Sequence, residues 1–435
     1  MSETKHKDSG IEWIGKIPND WDIDKLTTIC KGLYDGDWVN TPDQNKDNKG
    51  IRYLATGNIG DGYYIEKEAN FIPNEIAKQN GYCLVEKGSL IMSRLCTPFA
   101  RTCILPDNYE KYIIAVDNMR MDVCEDSKKY LSYLTQCNHW HYHFETLARG
   151  AVLKRISKKD ILNTKIPIPP LPEQIKIANY LDRVISNLDR QIEINEQLSC
   201  KYKELKKSEI YECVTKGLPE SRERRGYEDS GIEWIGEIPE DWEIGKNAKI
   251  MHRIKDLIQE YNNETILSLS VIGMVDRYKY GLKGKTPRNY IGYQRIKKGD
   301  LVLCLFDTDV TPCCTGIAQE DGITSPAYSR MYVDESIADR GYYYYWYTNI
   351  KNMDCLYKLA NNVRNSISAS EFAKIKVPIP PLNEQQEIST YLDQKCVIYD
   401  SLTNLYQAKA DKLKELKKSL IYEYVTGKRQ VENGQ

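Results

Sequence analysis

The chain has 435 residues, of which 41% are hydrophobic and 28% charged, with a net charge of -1. This length suffices for about two or three domains, and the composition is typical of a globular protein rather than a disordered one. A net charge near zero excludes a uniformly basic nucleic-acid binder, but it leaves room for a local basic surface.

The beginning of the chain and its cysteines favour an intracellular protein. The first residues, MSETKHKDSG, lack the apolar core of a secretory signal, and no apolar run reaches transmembrane length. We therefore expect a cytoplasmic protein. The 13 cysteines, none in CxxC spacing, are then expected to be free and buried thiols.

The chain contains an internal repeat. The openings DSGIEWIGKIPNDWDI (8–23) and DSGIEWIGEIPEDWEI (229–244) are identical at 13 of 16 positions, at an offset of 221. Two further pairs of segments share an offset of 211: 165–182 with 376–393, and 203–217 with 414–428. The difference of ten residues predicts an insertion in the first copy, which we place in the Gly-, Asp- and Asn-rich stretch 35–50.

The repeat predicts the domain organisation. The predicted parts are a first variable domain with its opening (1–164), a first helical arm (165–218), an exposed linker (219–228), a second variable domain with its opening (229–375) and a second helical arm (376–435). Residues 24–164 and 245–375 share little, although the segments around them are nearly copied. This pattern favours one scaffold carrying two different ligand sites over a recent duplication whose copies do the same job.

Basic residues in the first variable domain are candidates for DNA contacts. The segment RGAVLKRISKK (149–159) holds five basic residues and no acidic one, a composition that suits phosphates and base edges. Candidates in this segment or beside turns are Arg52, Arg94, Arg101, Lys154 and Arg155. The nearby NHWHYHF has His139, His141 and His143 at alternating positions, so that on a strand all three could face one metal, but surface or packing histidines are the default and we predict no metal site.

The second variable domain carries the strongest local signal. Residues 277–298, RYKYGLKGKTPRNYIGYQRIKK, hold eight basic residues, no acidic one and four tyrosines. A loop or hairpin of this composition suits contacts with phosphates and bases, and a solvated charged face is the alternative. The candidates here are Arg277, Lys279, Lys283, Lys285 and Arg288, together with Arg364 in NNVRNSISAS.

Each arm opens with a proline-rich extended segment, IPIPPLPEQ or VPIPPLNEQ, and continues as a long helix. In the second arm Tyr399, Tyr406, Leu413 and Leu420 recur every seven residues, and Leu402, Lys409 and Leu416 are interleaved with them, which predicts a heptad seam. The candidate seam or partner-docking residues of both arms are Leu188, Leu198, Tyr202, Leu205, Leu402, Tyr406, Leu413 and Leu416.

Motifs for catalysis are missing from the sequence. It contains no GxxxxGK[ST] loop, no GxGxxG after a strand, and no Asn- or Asp-Pro-Pro-aromatic motif of the kind that amino-methyltransferases carry. The ExK fragments at 204–206 and 415–417 fall in the arms, where helical charge pairing explains them. The sequence therefore predicts no catalytic constellation and no cofactor or metal site in this chain.

On these residues the chain resembles the specificity subunit of Type I restriction-modification enzymes. The resemblance covers essentially the whole chain. It is carried by the paired IPNDW and IPEDW openings, the paired PPLxEQ segments, the KELKKS arms, and LSLSVIG, KKGDLV and GITSPAYS in the second domain. One departure is Ser89 where the second copy has Asp300, for which we expect only a local change in the turn.

The resemblance implies a mixed α/β fold, with two target-recognition domains separated by two long antiparallel coiled-coil helices in a pseudo-twofold repeat. It also implies that each domain recognises one half of a bipartite double-stranded DNA target. Two modification (methyltransferase) subunits would dock on the conserved regions, and restriction/translocase subunits would join them. S-adenosylmethionine, ATP and Mg would bind those partners, and this chain would not be an enzyme.

Two other functions remain open at this point. A stand-alone methyltransferase or nuclease would act on DNA unaided. A coiled-coil scaffold protein would leave the basic window 277–298 unused.

Overall fold

A computed structural model describes residues 6–67, 69–95, 98–150, 154–271, 273–282, 287–309, 315–355 and 366–431. The chain divides into two compact units. Unit 1 comprises residues 1–195 and 408–435, and unit 2 comprises residues 196–407. Each unit thus combines one variable domain with parts of both arms. None of the helices in the described ranges is long and apolar enough to cross a membrane.

The first half of the chain contains twelve short strands and ends in a long helix. In chain order its elements are β1 (His6–Asp8), β2 (Lys16–Pro18), β3 (Asp22–Lys25), β4 (Cys30–Asp35), β5 (Ile51–Leu54), β6 (Asn70–Ile72), α1 (Asn74–Gln79), β7 (Val85–Glu86), β8 (Leu90–Ser93), β9 (Thr102–Ile104), β10 (Lys111–Ile114), β11 (Asn118–Val123), α2 (Glu125–Leu134), α3 (Asn138–Leu147), α4 (Lys158–Asn163), β12 (Lys165–Ile168) and α5 (Leu171–Lys216).

The second half follows a similar plan. Its elements are α6 (Pro219–Arg222), β13 (Tyr227–Asp229), β14 (Glu237–Pro239), β15 (Glu243–Lys246), α7 (Asn247–Ile250), β16 (Met251–Ile254), β17 (Leu267–Ser270), β18 (Gly273–Asp276), β19 (Gln294–Ile296), β20 (Leu301–Leu303), β21 (Thr315–Ile317), β22 (Gly322–Thr324), β23 (Ser329–Val333), α8 (Arg340–Asn352), α9 (Ala369–Lys374), β24 (Lys376–Ile379) and α10 (Leu382–Val425).

The central sheet of each domain has the same strand order. It runs β4-β11-β8-β9 in the first domain and β16-β23-β20-β21 in the second, and all neighbours are antiparallel. Both faces of β8 are buried: Leu90 and Met92 lie in the main core, and Ile91 packs toward a second sheet, β6-β5-β10-β7. This explains why Leu90, Ile91 and Met92 are all apolar rather than alternating with polar residues. The predicted mixed α/β fold and internal repeat are confirmed.

Strand pairing locates the insertion of the first copy. Tyr34 lies opposite Arg120 on β11, and Ile254 lies opposite the equivalent Arg330 on β23, which gives an offset of 220. Further along, Tyr53 lies opposite Ile113 and Ile266 opposite the equivalent Ile323, which lowers the offset to 213. Most of the ten-residue change therefore falls between β4 and β5, where the sequence places it.

Buried tyrosines tie each domain to the arms with matching bonds. Tyr130 Oη lies 3.0 Å from the carbonyl oxygens of both Pro167 and Val425. In unit 2 two tyrosines share the equivalent bonds, since Tyr342 donates to Val214 and Tyr343 donates to Pro378, at 2.9 and 3.0 Å. A further equivalent pair, Tyr133 and Tyr345, donates to Asp182 and Asp393 of the long helices at 2.7 Å.

The long helices, 46 residues in α5 and 44 in α10, run antiparallel within each unit. In unit 1 Tyr180 packs against Tyr424, and Asp189, further along α5, pairs with the earlier Lys417 at 2.6 Å. In unit 2 the equivalent pair is Lys206 with Asp400, at 2.7 Å. The two ion pairs thus sit at repeat-related positions of the two arms. Gly217 and Gly427, with φ of 83° and 71°, follow the helix ends in the left-handed conformation that favours glycine.

The predicted seven-residue series of the seam is confirmed. Tyr399, Tyr406 and Leu413 are half-buried and Leu420 is buried. In the first arm, Tyr202 is half-buried and Leu188 is buried.

The interleaved series is wrong by one residue. Thr403 and Ala410 are buried, whereas Leu402 is only half-buried and Lys409 and Leu416 are exposed. In the first arm Ile192 and Ser199 occupy the seam in place of Gln191 and Leu198, and Leu205 is exposed. After Tyr399 the next seam residue is four positions on, at Thr403, and the following one is three positions further, at Tyr406. The interleaved seam positions hold small side chains, whereas the prediction had chosen the neighbouring leucines.

Three further expectations need correction. The linker is not simply exposed, because Arg225 forms ion pairs with Glu384 and Asp241. The histidines 139, 141 and 143 lie on helix α3, not on a strand, and no metal-binding group of side chains occurs within the described ranges. The ten cysteines that the structure describes are free, as expected, but only seven are buried; the exposed ones are Cys83, Cys124 and Cys200.

Candidate nucleic-acid interface

Strand ends meet at one edge of the first domain. The backbone N–H groups of Gly36 and Arg94 donate to the carbonyls of Asn118 and Asp117, both at 2.9 Å, and Asp37 N–H donates to Ile114 at 2.8 Å. Gly36 is required for this close approach, since an added Cβ would overlap the carbonyl oxygens of Ile114 and Ala115. We call residues 35–38, 93–94 and 115–118 the first rim.

The first rim carries a cluster of paired charges. The Asp35 carboxylate accepts from Lys158 at 2.6 Å and pairs with Arg94 at 3.3 Å, and Arg155 pairs with Asp117 at 2.8 Å. Helix α4 delivers Lys158, because the Ser157 side chain caps the start of this helix. The candidates Arg94 and Arg155 therefore lie together on one edge, as two members of this cluster.

The remaining candidates of the first domain lie in different surroundings. Lys154 is exposed, and it precedes Arg155, whose backbone pairs with that of Arg149. Arg101 is half-buried, and its carbonyl accepts from Ser93 N–H.

Arg52 does not face solvent. Its side chain is 1% exposed, and it donates to the carbonyl of Tyr53 at 2.6 Å and to Glu66 at 3.0 Å. The buried Arg52 holds the β5–β6 region together, so its prediction as a DNA contact is wrong. The sequence showed a basic residue near a glycine but not that its partners enclose it.

Sequence reasoning missed the aromatic side chains of this edge. Trp38 on the first rim is 73% exposed. Tyr34 lies just before it on β4, and the Arg120 guanidinium lies over the Tyr34 ring at 4.6 Å. The available signal was a tryptophan within the Gly-, Asp- and Asn-rich stretch 35–50, which is expected to form a loop that does not bury it.

The equivalent edge of the second domain, the second rim (255–258, 304–305 and 325–328), differs in its side chains. Leu305 and Ala369 replace Arg94 and Lys158, and an open hollow of about 250 Å³ lies beside them. The hollow is lined mainly by apolar side chains, among them Met251, Leu305, Met331 and Phe372.

Asp300 has a wider effect than the expected change in its turn. Its carboxylate accepts from the backbone N–H of Lys297 at 2.6 Å, and it also pairs with Arg330 of β23 at 2.6 Å. Arg330 lies 3.5 Å from Asp256 as well. Arg330 is the counterpart of Arg120, so the same arginine stacks on Tyr34 in one domain and is drawn into an ion-pair network in the other.

In the described parts of the basic window, residues 277–282 and 287–293 form turns and loops between β18 and β19, and the window continues through β19. Asp276 holds the first loop by accepting the backbone N–H groups of Tyr278 and Lys279 at 2.8 and 3.1 Å. The hydroxyls of Tyr278 and Tyr290 lie 2.8 Å apart, and this hydrogen bond raises the pKa of Tyr290 to about 12. Lys279 and Arg288 are exposed and Arg277 is half-buried. Lys283, Lys285 and Arg364 lie outside the described residues.

The arms present apolar side chains at repeat-related positions. Ile194 and Leu405 are equivalent at an offset of 211, as are Leu205 and Leu416, and all four are between 40% and 47% exposed. Matching exposed apolar residues on both copies of a scaffold are typical of a protein contact that occurs twice.

Comparison with known proteins gives consistent matches. The family model described as "Type I restriction modification DNA specificity domain" matches residues 18–199 and 327–415. The chain is 24% identical to the putative type I restriction enzyme MjaX specificity subunit of Methanocaldococcus jannaschii, over 95% of both chains. It is 26% identical to the MjaVIII specificity subunit of the same organism, over 66% of this chain and 67% of that one.

Solved structures show the same fold. A chain from work on the "structural basis underlying complex assembly and conformational transition of the type I R-M system" matches with a TM-score of 0.65 and 16% identity, covering 95% of this chain and 99% of that chain. The HsdS subunit from Thermoanaerobacter tengcongensis matches with a TM-score of 0.50 and 15% identity, over 95% and 98%.

Proposed function

The chain belongs to the Type I restriction-modification DNA specificity family, and from that premise we propose how target recognition is divided between its two rims and how its partners assemble. The first rim and its neighbouring basic loop recognise one half of a bipartite DNA target. The second rim and the loops of the basic window recognise the other half.

One observation carries this proposal. The two domains share strand order, tyrosine anchors and helix caps, yet their rims differ at the equivalent positions Arg94 and Leu305, and Lys158 and Ala369. Side chains that only stabilised the frame would be expected to match like the tyrosines. Side chains that contact different base sequences are expected to differ, because each base pair presents its own pattern of donors, acceptors and methyl groups.

The partners follow from the arms. The equivalent exposed pairs Ile194 with Leu405 and Leu205 with Leu416 support docking of two copies of one modification subunit, one for each repeat. Restriction/translocase subunits then join through the modification subunits. Leu205 and Leu416, which their spacing assigned to the seam, belong to this docking surface instead.

The chemistry is proposed to reside on those partners. The sequence lacks the motifs for binding S-adenosylmethionine or ATP. In this account S-adenosylmethionine, ATP and Mg bind the modification and restriction subunits, and this chain supplies only target selection and assembly.

Methyl transfer from labelled S-adenosylmethionine to DNA tests the proposal. The purified chain alone should give no incorporation, and addition of its modification subunit should give incorporation at a bipartite site. A catalytically inactive modification subunit serves as the matched control and should abolish the signal. Incorporation by the chain alone, or with the inactive partner, would overturn the division of labour.

A further inference from the structure

Trp38 is an exposed tryptophan that the fold does not need for its core. Its side chain is 73% exposed, and it lies between β4 and β5, just before the insertion that lengthens the first repeat. At the offset of 220 that applies to β4, the second domain has Ile258, which is 1% exposed and packs with Ile266 and Ile323. The two repeats therefore treat this position in opposite ways.

The backbone on both sides of Trp38 is fixed. Asp37 donates its N–H to Ile114, and its carboxylate accepts the N–H of Cys83 at 2.7 Å. On the other side, Val39 packs against the small core of Ile72 and Ile113. The indole is thus held outward by an anchored segment, and an aromatic side chain held in this way loses little freedom when it binds.

The surroundings of Trp38 suit DNA. The carboxylates of the rim are occupied: Asp35 by Lys158 and Arg94, and Asp117 by Arg155. Lys154, next to Arg155, is exposed. An uncharged aromatic side chain on a rim whose carboxylates are neutralised by cations suits the uncharged bases of a duplex, which lie between rows of phosphates.

We propose that Trp38 is a specificity-determining residue of the first domain, whose indole packs against the bases of one half-site while the neighbouring cations contact phosphates. This inference rests on the proposed function, since it requires that the first rim faces DNA. It adds a base contact made by the segment that follows β4, at a position where the equivalent Ile258 of the second domain is buried.

Binding of the full chain, assembled with its modification subunits, to three duplexes tests the proposal. Methylome sequencing supplies the target. The half-site that stays unchanged when residues 245–375 are exchanged for those of a relative is the first domain's half. The duplexes carry the intact target, a scrambled first half or a scrambled second half, and the variants are Trp38→Ala, Trp38→Phe and, as the control, Tyr142→Ala on α3, which is also an exposed aromatic.

Trp38→Ala should lower the preference for the intact target over the scrambled first half by about tenfold, which is the usual size of one base contact. The preference over the scrambled second half and the salt dependence should not change, because no charge is removed. Trp38→Phe should retain most of the preference, and Tyr142→Ala all of it. The difference in tryptophan fluorescence between wild type and Trp38→Phe reports the emission of Trp38. This emission should decrease when the intact duplex is added.

Other results would overturn the inference. An unchanged preference in Trp38→Ala would remove Trp38 from base recognition, and an equal loss on all three duplexes would make it a general contact. Weaker assembly with the modification subunits would make it a protein contact. Failure of the proposed function looks different: the wild-type complex would then show no preference among the three duplexes.

Discussion

The two rims use one sheet in different ways. In the first domain, Arg120 lies over Tyr34, and Asp35 joins Arg94 and Lys158 in an ionic cluster. In the second, the equivalent Arg330 is buried and is held by Asp300 and Asp256, and a hollow of about 250 Å³ lies near it. The same strand order therefore supports a charged edge in one copy and a largely apolar recess in the other.

The frames beneath these rims contrast with them. Gln174 donates to the carbonyl of Pro169 at 2.9 Å, and Gln385 donates to the equivalent Pro380 at 2.8 Å; each of these prolines is the first of a Pro-Pro pair. Ser157 and Ser368 cap the equivalent helices α4 and α9. Divergence between the copies is therefore concentrated where side chains leave the frame, so substitutions can separate frame residues from recognition residues.

The largest effect on stability is expected from the tyrosine anchors. Tyr130→Ala and Tyr342→Ala should each lower the free energy of unfolding by about 3 to 5 kcal/mol, because each removes a fully buried aromatic ring. The corresponding changes to Phe should cost only about 1 kcal/mol, since only the hydroxyl is lost. Denaturant unfolding followed by circular dichroism measures both. Similar losses for Ala and Phe would show that the ring does not pack as described.

Substitutions of Arg52 and Lys154 should affect different properties of the first domain, because Arg52 is buried in its frame and Lys154 is exposed on its surface. Arg52→Gln should lower the free energy of unfolding by about 2 kcal/mol, with allowance for the partial exposure of Glu66, and should leave the salt dependence of DNA binding unchanged. Lys154→Gln should leave stability unchanged and reduce the salt slope by about one. If Arg52→Gln instead reduced the salt dependence of DNA binding, Arg52 would have to become exposed and contact DNA in the bound state.

Substitutions of Leu413 and Leu416 distinguish the seam of α10 from the proposed docking surface on the same helix. Leu413 packs against the core of unit 1, whereas Leu416 is 46% exposed. Leu413→Asp should lower the free energy of unfolding by about 1 to 2 kcal/mol. Leu416→Asp should change it by less than about 0.5 kcal/mol but weaken assembly with the modification subunit in size-exclusion chromatography. Full assembly of Leu416→Asp would place the partner elsewhere.

The smallest difference is expected at alkaline pH. Burial raises the pKa of Tyr130 and Tyr342 well above the usual 10.0, because the phenolate would lose its hydration. A folded pKa above the unfolded one gives stability that is present below pH 10 and lost as the pH rises, by about 1.4 kcal/mol per pH unit for each such tyrosine. Unfolding free energies from pH 9 to about 11 should therefore fall less steeply in Tyr130→Phe and Tyr342→Phe than in wild type. Equal slopes would contradict the burial of these hydroxyls.

Much of the frame was predictable because its signals are local. The repeat, the proline-to-helix junctions and the seven-residue series from Tyr399 follow from spacing alone. The interleaved series could not be predicted in this way, because Thr403 and Ala410 are small and the neighbouring Leu402 and Leu416 looked more suitable for a seam. Helix pairing depends on which side chains let the backbones approach, and composition does not reveal this.

The rims were less predictable because they depend on contacts distant in sequence. Arg94 and Arg155 were found from charge, but their carboxylate partners lie on other strands. In the sequence Arg52 could not be distinguished from Arg94, since both are arginines beside turns, but its side chain is buried. Trp38 gave no periodic or charge signal, and its exposure follows only from the backbone bonds that surround it.

The most direct test of the account is an exchange of residues 245–375 for the equivalent block of a relative, followed by methylome sequencing of cells that also carry the modification subunits. One half of the methylated target should change and the other half should keep its sequence, because each rim recognises its own half on a shared frame. A target in which both halves change together would contradict the claim that the two domains recognise DNA independently.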